Sequence, residues 1–161
     1  MELNISRLVE IAKIVIDEVL ACSKNIEAMQ GRTGVYVCVA DTDGITRALM
    51  SVGNLPSREK RRKYSMIAQK KCYDLALLGR MSAETTRAYA DDALERYVGG
   101  IVGCDFLYAT SGFTGDLDEV CSLAIAVGMG DVNRDQAFIT GRLNPHQAIL
   151  LRVLDVLAGY P

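Results

Sequence analysis

The chain has 161 residues, 50% of them apolar and 24% charged, with 18 Lys and Arg against 20 Asp and Glu for a net charge of −2. That length suits one domain, able to bury a core without metal or disulfide staples, and the near-neutral balance argues against a general binder of nucleic acid or anionic membrane. No uncharged apolar run reaches a membrane span and the first residues lack a signal-peptide order, so a cytoplasmic protein is expected.

Residues 4–23 are predicted to form an amphipathic helix, because Ile5, Leu8, Ala12, Val15 and Val19 recur at spacings of three and four. Asn4 suits its N-cap, since its side chain can accept from an orphan backbone N–H. Residues 24–34 are a polar connector. Val35–Ala40 is β-branched and apolar on both faces, hence a central strand. Asp41–Gly44 is a turn, and Ile45–Met50 resumes an extended pattern, so the two strands form an antiparallel hairpin. Ser57 is expected to cap a helix to about Gly79. Its first two turns carry Arg58, Lys60, Arg61, Arg62 and Lys63 against Glu59 alone. A further helix is expected over Ser82–Tyr97, with Ser82 as cap and Gly99–Gly100 as its end. Gly103–Thr110 reads as a strand and Ser111–Gly115 as a loop. Asp116 and Glu119 have the spacing of a capping box on the next helix, which ends at the glycines 128 and 130. Ala137–Thr140 has the composition of an edge strand. Asn144-Pro145-His146-Gln147 reads as a capped start to a last helix reaching about Ala158. That helix, with Leu143, Ile149, Leu150, Val153, Leu154 and Leu157, is expected to dock on the domain or across a subunit contact, with Arg152, Asp155 and His146 at the surface. The elements together predict an α+β domain over residues 1–161, an antiparallel sheet of four to five strands covered by helices, with 131–161 as a C-terminal helical extension.

The five cysteines, Cys22, Cys38, Cys72, Cys104 and Cys121, contain no CxxC pair and read as small hydrophobes in a reducing compartment. A single histidine, His146, cannot build the usual tetrahedral zinc site, and no GxSxG accompanies it. Lys71 is the first candidate for chemistry. It lies four after Ile67, three after Ala68 and four before Leu75, on or beside the buried stripe. Such a lysine must snorkel, pair with a carboxylate or hold an anion. Residues 57–71 carry seven basic side chains and one acidic, a local charge of +6 that leaves −8 for the rest. That asymmetry favours self-association of unlike faces. Ser111-Gly112-x-x-Gly115 could turn backbone N–H groups towards an anion, although it lacks the Gly-Lys-Ser/Thr ending of a Walker loop and precedes Asp116, Asp118 and Glu119.

Several of these segments, in order, resemble the GlcG/HbpS family, the haem-degrading-domain family that includes the C-terminal domain of PduO-type proteins. The resemblance is carried by Val39-Ala40-Asp41-Thr42-Asp43-Gly44, by Ala68-Gln69-Lys70-Lys71-Cys72, by Gly99-Gly100, by Thr110-Ser111-Gly112 and by Asp118-Glu119. It implies a profilin-like or roadblock-like sandwich, a homo-oligomer, and binding of a small molecule or tetrapyrrole, haem or a corrinoid. Haem-binding members use an N-terminal histidine, and none precedes His146 here.

Three functions are compatible with these residues. The first is a non-catalytic accessory protein whose pocket near Lys71 takes a small-molecule ligand, with Lys71, Asp41, Asp43, Ser111 and Gly112 as candidate binding residues. The second is an enzyme acting on a small carbonyl or carboxylate compound, with Lys71 as Schiff-base nucleophile or general base and Asp41 or Asp43 assisting. The third is a structural protein assembled through its oppositely charged faces.

Overall fold

A computed structural model gives the fold of residues 2–78 and 84–161. The apolar segment that reads as a central strand is β1 (Gly34–Asp41), paired antiparallel on one side with β2 (Thr46–Gly53) and on the other with β4 (Phe106–Ser111). β3 (Gly100–Val102) pairs antiparallel with β4, so the sheet order is β2-β1-β4-β3. β1 is buried on both faces because both are covered: Val35, Val37 and Val39 point one way, Cys38 and Ala40 the other. Side chains alternate along a strand, so each set meets a different layer.

The two layers are unequal. On one face lies α2 (Arg58–Leu78), whose Ala68, Cys72 and Leu75 pack on Cys38, Ala40, Leu107 and Ala109. On the other lie α1 (Ile5–Cys22), α3 (Gly115–Gly128), α4 (Arg134–Gly141) and α5 (Gln147–Ala158), which share the larger core with β1 and β4. Asn4 caps α1 as expected, accepting from the N–H of Arg7. Leu150, Val153, Leu154 and Leu157 bury α5 against α1 and α3. Each such side chain is worth about 1.5–3 kcal/mol when removed from water. Residues 131–161 therefore belong to the main core. Arg152 and Asp155 face outwards as expected, pairing with Glu18 and Arg134.

Several expectations are corrected. No α-helix occupies 84–98: two short 3-10 helices, Thr86–Tyr89 and Asp92–Leu94, stand there instead. The segment covers the outer edge of β3, with the N–H of Val102 donating to the Glu84 carbonyl and Thr85 bridging to Ile101. Covering that edge satisfies strand groups that a helix would leave unpaired. The expected cap, Ser82, and Gly79 lie outside the described residues. Gly100 opens β3 rather than closing a helix, and β4 starts only at Phe106, where buried Asp131 accepts the N–H groups of Asp105 and Phe106. Ala137–Thr140 is helical, because Asn133 and Gln136 form a reciprocal capping box ahead of it. The cap of α3 is Thr114, not Asp116, and its hydroxyl accepts from the N–H of Leu117. Asn144 does not cap α5: His146 occupies that position and is half-buried, while Asn144 turns its amide inwards. Ile5 is exposed and falls outside the buried stripe of α1, and Leu143, expected on the last helix, is exposed and precedes α5.

Candidate functional site

The helical period places Lys71 on the sheet side of α2, and its side chain is 2% exposed. Its Nζ donates to the Thr110 carbonyl at 2.6 Å and to Asp118 Oδ2 at 3.0 Å. Asp118 stands in the first turn of α3, in the opposite layer. The two meet beside Thr110 near the end of β4, where Gly99 leads into β3. The second Asp118 oxygen accepts the N–H of Phe113 at 3.0 Å. Beside them, the Thr110 hydroxyl lies 2.9 Å from that of Ser122, which donates to the Gly99 carbonyl. Burial pushes the Asp118 carboxyl above its usual range, and the Lys71 ammonium with the neighbouring backbone N–H groups offsets only part of that rise.

The adjacent carboxylates of α3 are also partnered. Buried Glu119 accepts from Arg87 Nε at 3.2 Å and from the Asn144 amide at 2.9 Å. Asp116 accepts from the other arm of Arg87 at 2.6 Å. These bonds tie the irregular 84–98 segment and the loop before α5 to one helix. Asp118, Glu119 and Arg87 are the residues that the sequence reading missed as a set. A signal existed: after its first turn α3 reads Val120–Ala126 with Ser122 alone polar, so the helix is buried all round and carboxylates at its start need buried partners.

A cavity of about 410 Å³ opens beside the Lys71–Asp118 pair. Ser111, Gly112 and Phe113 line it next to the pair, with Tyr64, Ile67 and Tyr97 on its walls. Four cationic side chains, Arg32, Lys63, Lys71 and Arg96, face it against two carboxylates, Asp92 and Asp118. Asp118 is taken by Lys71. Arg32 donates to the carbonyls of Gly112 and Phe113 at 2.9 and 3.0 Å, which fixes the guanidinium without neutralising it. Among the described residues no ion pair joins a carboxylate to Arg32, Lys63 or Arg96.

Lys71, Ser111 and Gly112 are thus brought together, and Asp41 and Asp43 are not. Ser111 pairs with Tyr36 and Asp41 with Phe106, at opposite ends of the same ladder. Five residues of strand separate them by roughly 17 Å. Asp41 instead closes the β1–β2 turn, accepting from the N–H groups of Ile45 and Asp43 and from Arg47. Asp43 is exposed in that turn. Neither carboxylate can assist Lys71. The Ile45 N–H, with Arg47 and the Asp43 N–H, holds the Asp41 carboxyl below its usual range. A depressed pKa stabilises the fold above the ordinary carboxylate value, and that contribution is lost as pH falls through the lowered one. Asp41→Asn should therefore flatten the acid limb of the stability curve below about pH 4. Urea unfolding from pH 2 to 6 reads it, and an unchanged limb would separate Asp41 from acid sensitivity.

Among the described residues no group of three His, Cys, Asp or Glu is arranged to hold a metal ion. Among the described residues the cavity lining contains no histidine, cysteine or methionine, so it offers no imidazole, thiolate or thioether to a haem iron or another tetrapyrrole metal; the phenols of Tyr64 and Tyr97 are the axial-ligand type that it does contain. Cys38, Cys72 and Cys121 are buried as expected, while Cys22 and Cys104 are exposed. No described helix is long and apolar enough to cross a membrane. No protein-family model matches the chain, and no curated protein matches it.

Proposed function

We propose that the protein is a non-catalytic binding protein whose ligand is a small organic anion held in the cavity beside Lys71. The observation that carries this is the uncompensated positive charge of the cavity: four cations against two carboxylates, one of them already paired. In a partly dehydrated site such charge attracts an anion more strongly than it would in open water. Four of the five segments behind the GlcG/HbpS resemblance supply Lys71, Gly99, Ser111–Gly112 and Asp118 to this one region, which supports a binding role of the kind that resemblance implies. Covalent chemistry at Lys71 is disfavoured by its surroundings. Its Nζ is held between the Thr110 carbonyl and Asp118 Oδ2 on a side chain that is 2% exposed, so a carbonyl carbon has little access to it.

Titration calorimetry and thermal melting with acetate, butanoate, succinate and inorganic phosphate test this. Saturable binding that weakens with added salt is expected, because charge attraction is screened. At about 100 times Kd the stabilisation should reach roughly 2.7 kcal/mol. Borohydride treatment with carbonyl compounds should leave Lys71 unmodified. Absence of binding by every anion at low salt would overturn the proposal.

A further inference from the structure

We infer that the ligand is an amphiphilic monocarboxylate, its head in the Lys71 cavity and its apolar chain in a second hollow on the same helix. The inference rests on the anion-binding proposal above and adds the ligand's class. The first half of α2 overhangs the sheet: its first buried residue is Ala68, one turn short of Lys71. Between that overhang and residues 95–97 lies a hollow of about 460 Å³. It shares Lys63, Ile67 and Tyr97 with the Lys71 cavity, so the two adjoin across that wall. Their chemistry differs. The Lys71 side is half polar and cationic, whereas the second hollow presents mainly carbon, from Met66, Ile67, the Tyr97 ring and the stems of Arg62 and Lys70. Met66 is 60% exposed, an apolar side chain outside both buried clusters of the described residues. Long cationic side chains keep their heads in water and offer their methylenes to such a hollow.

Glu59 and Glu95 stand on the second hollow with Arg62 and Lys63, while Lys70 is held by Asp74, so its charges are close to balance. A second carboxylate at the far end of the chain would give up water there for a mainly carbon surface with no net positive charge to meet it. The arrangement therefore favours one negative head and one uncharged tail over a dicarboxylate. A chain that crosses the Lys63, Ile67 and Tyr97 rim common to the two hollows would fill both, whereas a small hydrophilic anion would use only one.

The test is calorimetry with straight-chain carboxylates from acetate to decanoate, below their micellar concentrations. Each methylene buried should tighten Kd about threefold to fourfold once the chain reaches the second hollow. Suberate, with the chain of octanoate and a second carboxylate, should bind at least tenfold more weakly than octanoate, and octanol should likewise lose at least tenfold. Met66→Ser, at an exposed position, should keep the wild-type melting temperature and weaken octanoate severalfold. A Kd independent of chain length, with acetate still bound, would overturn the amphiphile and leave the anion site standing. Equal affinity for suberate or octanol, or unchanged octanoate affinity in the folded Met66→Ser variant, would overturn it as well. If no carboxylate of any length binds, the anion site itself falls.

Discussion

Replacing Lys71 by methionine should lower the unfolding free energy by about 3–5 kcal/mol, because it leaves Asp118 buried without its counter-charge. The Asp118 carboxylate keeps the Phe113 N–H but loses the ammonium at 3.0 Å, and the Thr110 carbonyl loses its donor at 2.6 Å. Asp118→Asn should cost a similar amount by stranding the ammonium. The double variant Lys71→Met with Asp118→Leu should recover most of that loss. Apolar residues of similar volume often replace a buried pair without penalty, since neither charge then needs to leave water. A double-mutant cycle in urea therefore separates the pair's coupling from the desolvation of each member. Single variants within 1 kcal/mol of the wild type would contradict a dry, closed pair. The recovered double variant has a second use: it removes one cation and one carboxylate together, so the net charge of the cavity is unchanged and anion binding should survive. Stability would then be seen to draw on the buried pair, and binding on Arg32, Lys63 and Arg96.

What was legible in the sequence is what local pattern determines. α1, the β1–β2 hairpin and α2 follow from spacing, from the Asp41–Gly44 turn and from the Asn4 and Ser57 caps, all within a few residues of where they act. The position of Lys71 on the buried side of its helix was legible for the same reason. Its partner was not, because Asp118 lies 47 residues away and in another layer. Residues 84–98 misled because their shape is fixed from outside: the edge of β3 claims Glu84 and Thr85, and Glu119 with Asp116 claims Arg87. At Ala137–Thr140 the composition suggested a strand, yet the Asn133–Gln136 box was in the sequence and decides the helix. The cavity assembles from Arg32, α2, residues 90–98, the 111–115 loop and Asp118 of α3, so no single stretch could announce it.

Gly99→Ala should be among the most damaging single substitutions in the chain, costing more than about 3 kcal/mol and roughly 10 °C in melting temperature. Two independent constraints act there. The backbone has φ +128°, a region that side chains with a Cβ rarely enter. A Cβ at that position would also lie 2.4 Å from Lys71 Nζ, 2.7 Å from Asp118 Cβ and 3.2 Å from the Thr110 carbonyl oxygen. Nζ ends a flexible chain and could move, but moving it breaks both of its hydrogen bonds; Asp118 Cβ is fixed to its helix. Nor can the glycine retreat, because its N–H donates to the Thr86 hydroxyl and its carbonyl accepts from the Thr110 N–H and the Ser122 hydroxyl. Gly130→Ala is the comparison: it too has positive φ, +78°, but nothing lies within 4 Å of its Cβ. Only the backbone penalty of about 1–2 kcal/mol should remain there. The excess at Gly99 then measures how closely the chain is drawn over the ion pair. It should shrink when Gly99→Ala is combined with Lys71→Met, whose side chain can be placed away from the new methyl. A Gly99→Ala protein melting within 2 °C of the wild type would mean that the pair is not held against the backbone at this point.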